Sequence, residues 1–341
     1  MPRTVLVTGG AGYIGSHTCA ELLEHDYDVV VVDDYSNSSP AALGRVQEVA
    51  GRPLISVPAD MRDRRALDAI FEKHSIDAVI HFAAKKAIGE SMNIPLVYYD
   101  VNLGGTTNLL HSMQRHGVQK IVFSSSCSIY GESSRARLSE DEEPRPTNPY
   151  ARSKWMCEQV IRDACKRCPE MSAISLRYFN PIGAHPSGLL GEVPAGLPNN
   201  VVPYLMQVAV GRLKRLSVFG SDYDTPDGTA VRDYVHVLDV VAGHRAALEH
   251  LDEETGTQLF NLGTGVGTSV LQLVAALSEA CGRPLPYELA DRRPGDVATL
   301  VADSDRIHRA WGWRPVHGLK EMCRDAWRFQ RMNPRGYTAP R

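Results

Sequence analysis

The first half of the chain alternates short apolar runs with stretches of helical period, and few folds accept that pattern. The apolar runs fall at residues 5–8, 28–33, 54–57, 78–82, 121–124 and 172–177. Helical patterns separate them, reaching about residue 25 after the first run and then covering 64–74, 95–116 and 149–167. The run at 28–33 is almost pure valine, as a strand buried on both faces requires. Regular strand–helix alternation predicts an α/β fold, a doubly wound parallel sheet with helices on both faces. After residue 178 the pattern breaks, and 179–199 is rich in Gly, Pro and Asn. Further helices are expected at 201–211, 238–251, 269–281 and 318–330, with strands at 259–262 and 299–302 and a loop at 220–229. The reading is a first domain over 1–178 and a smaller mixed α/β lobe over 179–341, with room for crossings back to the first near 230–265. Residues 333–341 are polar and expected to be loose.

Composition narrows the partners. The 341 residues carry a formal net charge of -3, with 43% hydrophobic and 23% charged residues. A nucleic-acid or anionic-membrane partner calls for a basic excess that is absent here. No run of about 18 apolar residues occurs, and the N-terminus enters a strand at once, so neither a membrane span nor a signal peptide is expected. Seven scattered cysteines include one CxxC, Cys165 and Cys168, with no second pair to complete a metal site. The expectation is reduced thiols, no metal and a cytoplasmic location.

The stretch from Thr8 to Gly15 places glycines at Gly9, Gly12 and Gly15, between a strand and a helix. Such glycines permit a tight turn and close approach to a pyrophosphate, which the helix N-terminus attracts; Tyr13 and Ile14 lie in its first turn. Asp33 ends the second strand at about the 20-residue spacing of a ribose-binding acid. This is the signature of a Rossmann dinucleotide site. Asp34 follows, and no Arg lies between 31 and 39, so NAD is favoured over NADP. Asp60, past the third strand, is either a partner for the adenine amino group or a loop or helix cap. Phe82, Ala83 and Ala84 end the fourth strand, where small residues let the backbone approach a cofactor.

Tyr150 and Lys154 are four residues apart, one turn on one helix face. Asn148 suits the N-cap and Pro149 the first helical position. A tyrosine near its usual pKa of about 10 is a poor base. A nearby ammonium and an oxidised nicotinamide both favour the phenolate, so the expectation is a lowered Tyr150 pKa. Ser124, Ser125 and Ser126 end the fifth strand, on the sheet edge where doubly wound proteins bind ligands. There a Ser126 hydroxyl can relay a proton to Tyr150. Asn102 either supports the site or serves helix packing.

Together these elements resemble the extended short-chain dehydrogenase/reductase family. Segments along the whole chain sharpen the likeness: TGGAGYIGSH at 8–17, VIHFAA at 79–84, AIGES at 87–91, FSSSCSIYG at 123–131 and NPYARSK at 148–154. The second half adds LRYFNPIGAHPSG at 176–188, LPNNVVPY at 197–204, DGTAVRDYVHVLD at 227–239, FNLGTG at 260–265 and RRPGDVA at 292–298. The chain is similar to the UDP-glucose 4-epimerases of that family over nearly its full length. The resemblance implies a tightly bound NAD, a transient 4-keto sugar, and interconversion of UDP-galactose and UDP-glucose. It implies Tyr150, Lys154, Ser126 and Ser128 as the catalytic set. To the cofactor it adds Asn37, Ser38, Met61, Lys86, Ser124 and Tyr178. For the substrate it implies Asn180, Asn199, Asn200, Val218 and Tyr234, with Phe219 at the uracil, and Arg232, Arg293 and Asp296 around the nucleotide and diphosphate. A homodimer through the helices near 95–116 and 149–167 is also implied.

Some positions depart from the family pattern. Lys85 replaces an apolar residue beside Lys86, and Cys127-Ser128 stands where Ala-Thr is common. Leu300 matches a position whose bulk gates N-acetylhexosamines, so UDP-N-acetylglucosamine and UDP-glucuronate epimerases remain the alternative. A 4,6-dehydratase needs an Asp-Glu pair after the active-site Ser or Thr, and Cys127-Ser128 offers none.

Overall fold

The computed structural model describes residues 3–133, 135–253, 255–293 and 295–337. It divides into two compact units, each drawn from three stretches of chain. The first unit takes residues 1–129, 146–177 and 241–260, and the second takes 130–145, 178–240 and 261–341. The sequence suggests a boundary after 178 with room for crossings back near 230–265; residues 241–260 belong to the first unit, and the stretch 130–145 belongs to the second.

The first unit is built on a seven-stranded sheet. Its elements in chain order are β1 (Thr4–Thr8), α1 (Tyr13–Glu24), β2 (Asp28–Asp33), α2 (Pro40–Ala50), β3 (Ile55–Pro58), α3 (Arg64–Lys73), β4 (Ala78–His81), α4 (Ile88–Asn93), α5 (Pro95–Tyr98), a π-helical turn (Tyr99–Gly104), α6 (Gly105–Arg115), β5 (Lys120–Ser126), a 3-10 turn (Cys127–Tyr130), α7 (Pro149–Arg167) and β6 (Ser172–Tyr178). The second unit adds β7 (Asn180–Ile182), α8 (Val201–Ala209), β8 (Leu216–Phe219) and β9 (Val231–His236). The chain then passes through α9 (Val237–His250) and β10 (Gly256–Leu262), which complete the first unit's sheet. It ends with β11 (Gly267–Ser269), α10 (Val270–Cys281), β12 (Tyr287–Ala290), β13 (Thr299–Leu300), α11 (Asp305–Trp311) and α12 (Leu319–Met332).

Sheet order is β10-β6-β5-β4-β1-β2-β3, and β3, β2, β1, β4 and β5 pair in parallel. The order reverses at β1, and the crevice outside the carboxyl ends of the strands there is where such sheets take ligands. Strand alternation sends Leu6, Val30, Val32, Val79 and Ile121 to one face, packed with Leu67 and Phe71 of α3, Leu109 of α6 and Ile161 of α7. Val31 faces the other way, next to Cys19 of α1 and Gly10. Local chemistry starts the helices. Asn148 caps α7 by accepting from the Ala151 N–H, with Pro149 at its first position as expected. Asp63 caps α3, and Ser39 caps the unforeseen α2, where Pro40 follows it.

In the second unit β11, β9 and β13 form a sheet, β7 pairs with β9, and β8 pairs with β12. Its core joins Leu205 and Met206 of α8, Leu273 and Leu277 of α10, and Met322 and Ala326 of α12. The C-terminal stretch corrects the expectation of a loose end. The Gly191 N–H donates to the Tyr337 hydroxyl at 3.0 Å, and the Tyr337 ring meets Phe329 edge-on at 5.7 Å. Residues 338–341 lie outside the described residues. No helix among the described residues is long and apolar enough to cross a membrane.

Candidate active site

The glycine turn after β1 has no room for side chains. Gly9 adopts φ +71, and a Cβ there would lie 2.7 Å from the Ala83 nitrogen. A Cβ on Gly15 would collide with the Gly9 carbonyl. The turn therefore brings the ends of β1 and β4 together and starts α1 at their edge. Tyr13 and Ile14 are half-buried there, and the first turn of α1 carries no acidic residue that would repel an anion. Asp33 is locked by three donors: the Ala11 N–H at 2.9 Å, the Tyr35 N–H at 2.9 Å and the Ser38 hydroxyl at 2.7 Å. A carboxylate has about four acceptor sites, so a ribose hydroxyl can still be received. Fixed glycines, an unopposed helix N-terminus and an oriented acid together fit a dinucleotide.

Neighbouring residues are placed less uniformly. Asp34 is exposed and turned onto its own chain, accepting from the Ser36 N–H and hydroxyl. Asn37 and Lys86 are exposed. Asp60 is gripped by the Arg62 guanidinium, whose hydrogen bonds hold its pKa below the usual carboxylate range. Met61 is buried against Gly105, and the Phe82 ring lies 4.7 Å from that of His244. Ala83 donates its N–H to Thr8, while Ala84 is half-buried beyond it.

Tyr150 and Lys154 share a face of α7. Lys154 is buried, and its ammonium donates to the Ser124 carbonyl at 2.7 Å, 4.9 Å above the Phe123 ring. Burial brings its pKa down to about 8, against the pull of Cys157 and Glu158. Burial pushes the Tyr150 phenol up to about 12, although a hydrogen bond with Ser126 draws it down. Among the protein groups alone, the Lys154 ammonium donates to a strand carbonyl and desolvation dominates at the phenol, whereas the expected lowering also counts the charge of an oxidised nicotinamide. Ser128 lends its backbone N–H to the Ser126 hydroxyl oxygen at 3.2 Å.

Three buried networks hold this pair in place, the third centred on Asn102, which the sequence reads as a support of the site or of helix packing. Glu158, one turn beyond Lys154, accepts from Arg177 at 2.9 and 2.6 Å and from the Ser125 hydroxyl at 2.5 Å. His81 is bonded by Thr8 at 2.7 Å and Thr106 at 2.9 Å, and burial brings its pKa down to about 3. Asn102, in the π-helical turn, accepts from the Lys85 N–H at 2.8 Å and donates to the Lys85 carbonyl at 3.0 Å and to Ser153 at 2.9 Å. It thus ties the loop after β4 to the helix bearing Tyr150; single π turns of this kind favour functional sites. Lys85, which replaces an apolar residue of the family pattern, pairs with Glu90 at 3.4 Å. The clue to Glu158 and Arg177 was a charge at i+4 from Lys154 and another closing an apolar strand.

Tyr178 ends β6 and is buried. In the second unit, Asn180 lies opposite Tyr234 on β7 and β9, and Leu300 lies opposite Arg232 on β13 and β9. The Arg293 guanidinium makes two 3.1 Å bonds to Asp296 and sits 5.6 Å from the centre of the Phe219 ring, which is 42% exposed. Asn199 and Asn200 are exposed before α8. Val218 is buried in the core of the second unit, paired with Leu289 of β12. Asp233, next to Arg232, is fully buried and accepts from Thr264, Gly265 and Ala302.

Residues 5–263 match the model of the NAD dependent epimerase/dehydratase family. The chain is 54% identical to the UDP-glucose 4-epimerase of Bacillus subtilis, over 98% of this chain and 99% of that one. It is 51% identical to the human UDP-glucose 4-epimerase, over 99% of each. The crystal structure of UDP-glucose 4-epimerase from Bifidobacterium longum in complex with NAD+ and UDP superposes with a TM-score of 0.96 at 47% identity, covering 98% of this chain and 99% of that one. The chain belongs to the NAD dependent epimerase/dehydratase family, as a relative of the UDP-glucose 4-epimerases.

Proposed function

We propose that the protein is a UDP-glucose 4-epimerase that interconverts UDP-galactose and UDP-glucose with a retained NAD. The observation that carries this is Tyr150 one helical turn from a buried Lys154 that is fixed to β5, in a chain with such relatives over its full length. Gly9, Gly12, Gly15 and Asp33 would hold NAD. When bound in oxidised form, NAD supplies the acceptor for the C4 hydrogen and a positive charge that favours the Tyr150 phenolate.

The Tyr150 oxygen then takes the 4-hydroxyl proton, and Ser126 holds both oxygens in line. Lys154, donating to the Ser124 carbonyl, holds the helix that carries Tyr150 against β5. Inversion at C4 needs the sugar to present both faces, so the chain must grip the nucleotide and hold the sugar loosely. Arg232 and Arg293 suit the diphosphate, because guanidinium forks match phosphate oxygens. Phe219 offers a ring to the uracil, and Asn180 and Asp296 offer polar partners.

The reading includes a homodimer and a cytoplasmic site of action. Met92, Ile94, Leu96 and Val97 are exposed around α4 and α5, with Leu96 79% accessible, an apolar face suited to a second copy. No disulfide joins any of the seven cysteines, which suits a reducing compartment. The test is to mix purified protein with UDP-galactose and follow UDP-glucose by NMR without added NAD. Epimerisation supports the reading. Loss of water from C5–C6 indicates a dehydratase, and absence of turnover removes the enzyme assignment. Light scattering reads the dimer.

A further inference from the structure

We propose that Tyr223 is a further binding residue for the substrate, its hydroxyl donating a hydrogen bond to the nucleoside diphosphate; this rests on the epimerase reading. In the second unit, Asn180 Oδ1 and Tyr223 Oη are both buried without a hydrogen-bond partner among the described residues. Asn180 is already a candidate ligand from the sequence. Tyr223 is not, and its ring, carried on the loop between β8 and β9, belongs to the apolar core of the second unit. A phenylalanine would fill that cluster as well. A buried hydroxyl with no protein partner is costly to keep, so it calls for a partner from outside the chain.

The ring is held so that the hydroxyl has a fixed direction. The Tyr223 N–H donates to the Gly228 carbonyl at 2.9 Å. The Arg292 guanidinium lies 4.2 Å above the ring, itself held by Asp222 through Nε at 2.7 Å and through the Asp222 carbonyl at 2.7 Å. Gly220, at φ +82, stands where any Cβ would strike the ring. The charges that act on the phenol are those of Asp296, Arg292, Arg232 and Asp222. Asp296 and Arg232 are the groups assigned to the nucleotide and its diphosphate. Burial, then Asp296, keeps the phenol above its usual range, so it remains a neutral donor at every working pH. A donor held rigid before binding loses little freedom on meeting a phosphate or ribose oxygen.

Tyr223→Phe tests this, because the ring and the Arg292 stacking survive. Titration of the NAD-containing enzyme with UDP should show about 5- to 20-fold weaker binding, the size of one hydrogen bond. KM for UDP-galactose should rise in parallel, with kcat and NAD content unchanged. Tm without UDP should hold or rise, since an unsatisfied hydroxyl has gone. Unchanged UDP affinity and KM overturn the proposal. So does a lowered Tm with unchanged UDP affinity, which would make the hydroxyl structural. Failure of the wild type to bind UDP or epimerise would instead remove the epimerase reading, a separate result visible before any variant is made.

Discussion

Lys154→Met should stabilise the nucleotide-free chain at neutral pH while abolishing turnover. Lys154 is 3% exposed, and burial moves its pKa from 10.5 to about 8. At 1.36 kcal/mol per unit, that is about 3 kcal/mol of differential interaction. The unfolded chain binds more protons between the two values, so wild-type stability rises with pH from about 8 to 10.5 and the penalty is complete below 8. Methionine has no proton to lose, so it escapes the penalty. It also leaves the Ser124 carbonyl without its donor, which costs about 1–2 kcal/mol. The net expectation is a variant about 1–2 kcal/mol more stable at pH 7, with the difference shrinking and changing sign as pH approaches 10.5. Urea unfolding of wild type and variant, stripped of nucleotide, at several pH values measures it. Subtracting the two curves cancels groups common to both. A pH-independent difference, or a variant weaker at pH 7, would refute the reasoning. The expected result is stability traded for a buried cation that only the reaction requires.

Tyr150→Phe should keep its NAD, read by absorbance of the purified protein, while turnover falls by about 10²–10⁴; near-normal activity would remove Tyr150 from its role. Glu158→Ala strands the buried Arg177 and should cost about 3–5 kcal/mol in urea unfolding, whereas the Glu158→Met/Arg177→Met pair should recover most of it. A double variant as weak as the single would sink that account. Leu300→Tyr should lower the rate on UDP-N-acetylglucosamine relative to UDP-glucose, measured side by side, because Leu300 lies opposite Arg232 in the sheet. An unchanged ratio would discard the gate.

The first unit was legible because its rules are local. An unbroken valine run, a glycine turn between strand and helix, and Asn148-Pro149 before α7 each state their conformation within a few residues. β9 was not legible as a strand. Its Arg232-Asp233 pair reads as surface, yet Asp233 is buried because backbone N–H groups from Thr264, Gly265 and Ala302 converge on it. That compensation comes from residues far along the chain and leaves no local trace. The short strands β7, β8 and β12 were hidden for the same reason, since their partners are remote. Where the Lys154 ammonium points was not legible either, because spacing places it near Tyr150 but does not show that it donates to the Ser124 carbonyl.

The interleaving of the two units bears on synthesis. β10 sits at the outer edge of the first unit's sheet, next to β6, but its residues follow those of β7, α8, β8, β9 and α9. A ribosome therefore delivers six strands of the sheet and then a large part of the other unit before the seventh emerges. During that interval β6 is a bare sheet edge, its hydrogen-bonding groups open to any extended chain. A chain truncated after residue 177 would keep that edge permanently. It should aggregate, although the whole glycine fingerprint and the Tyr150/Lys154 pair would be present.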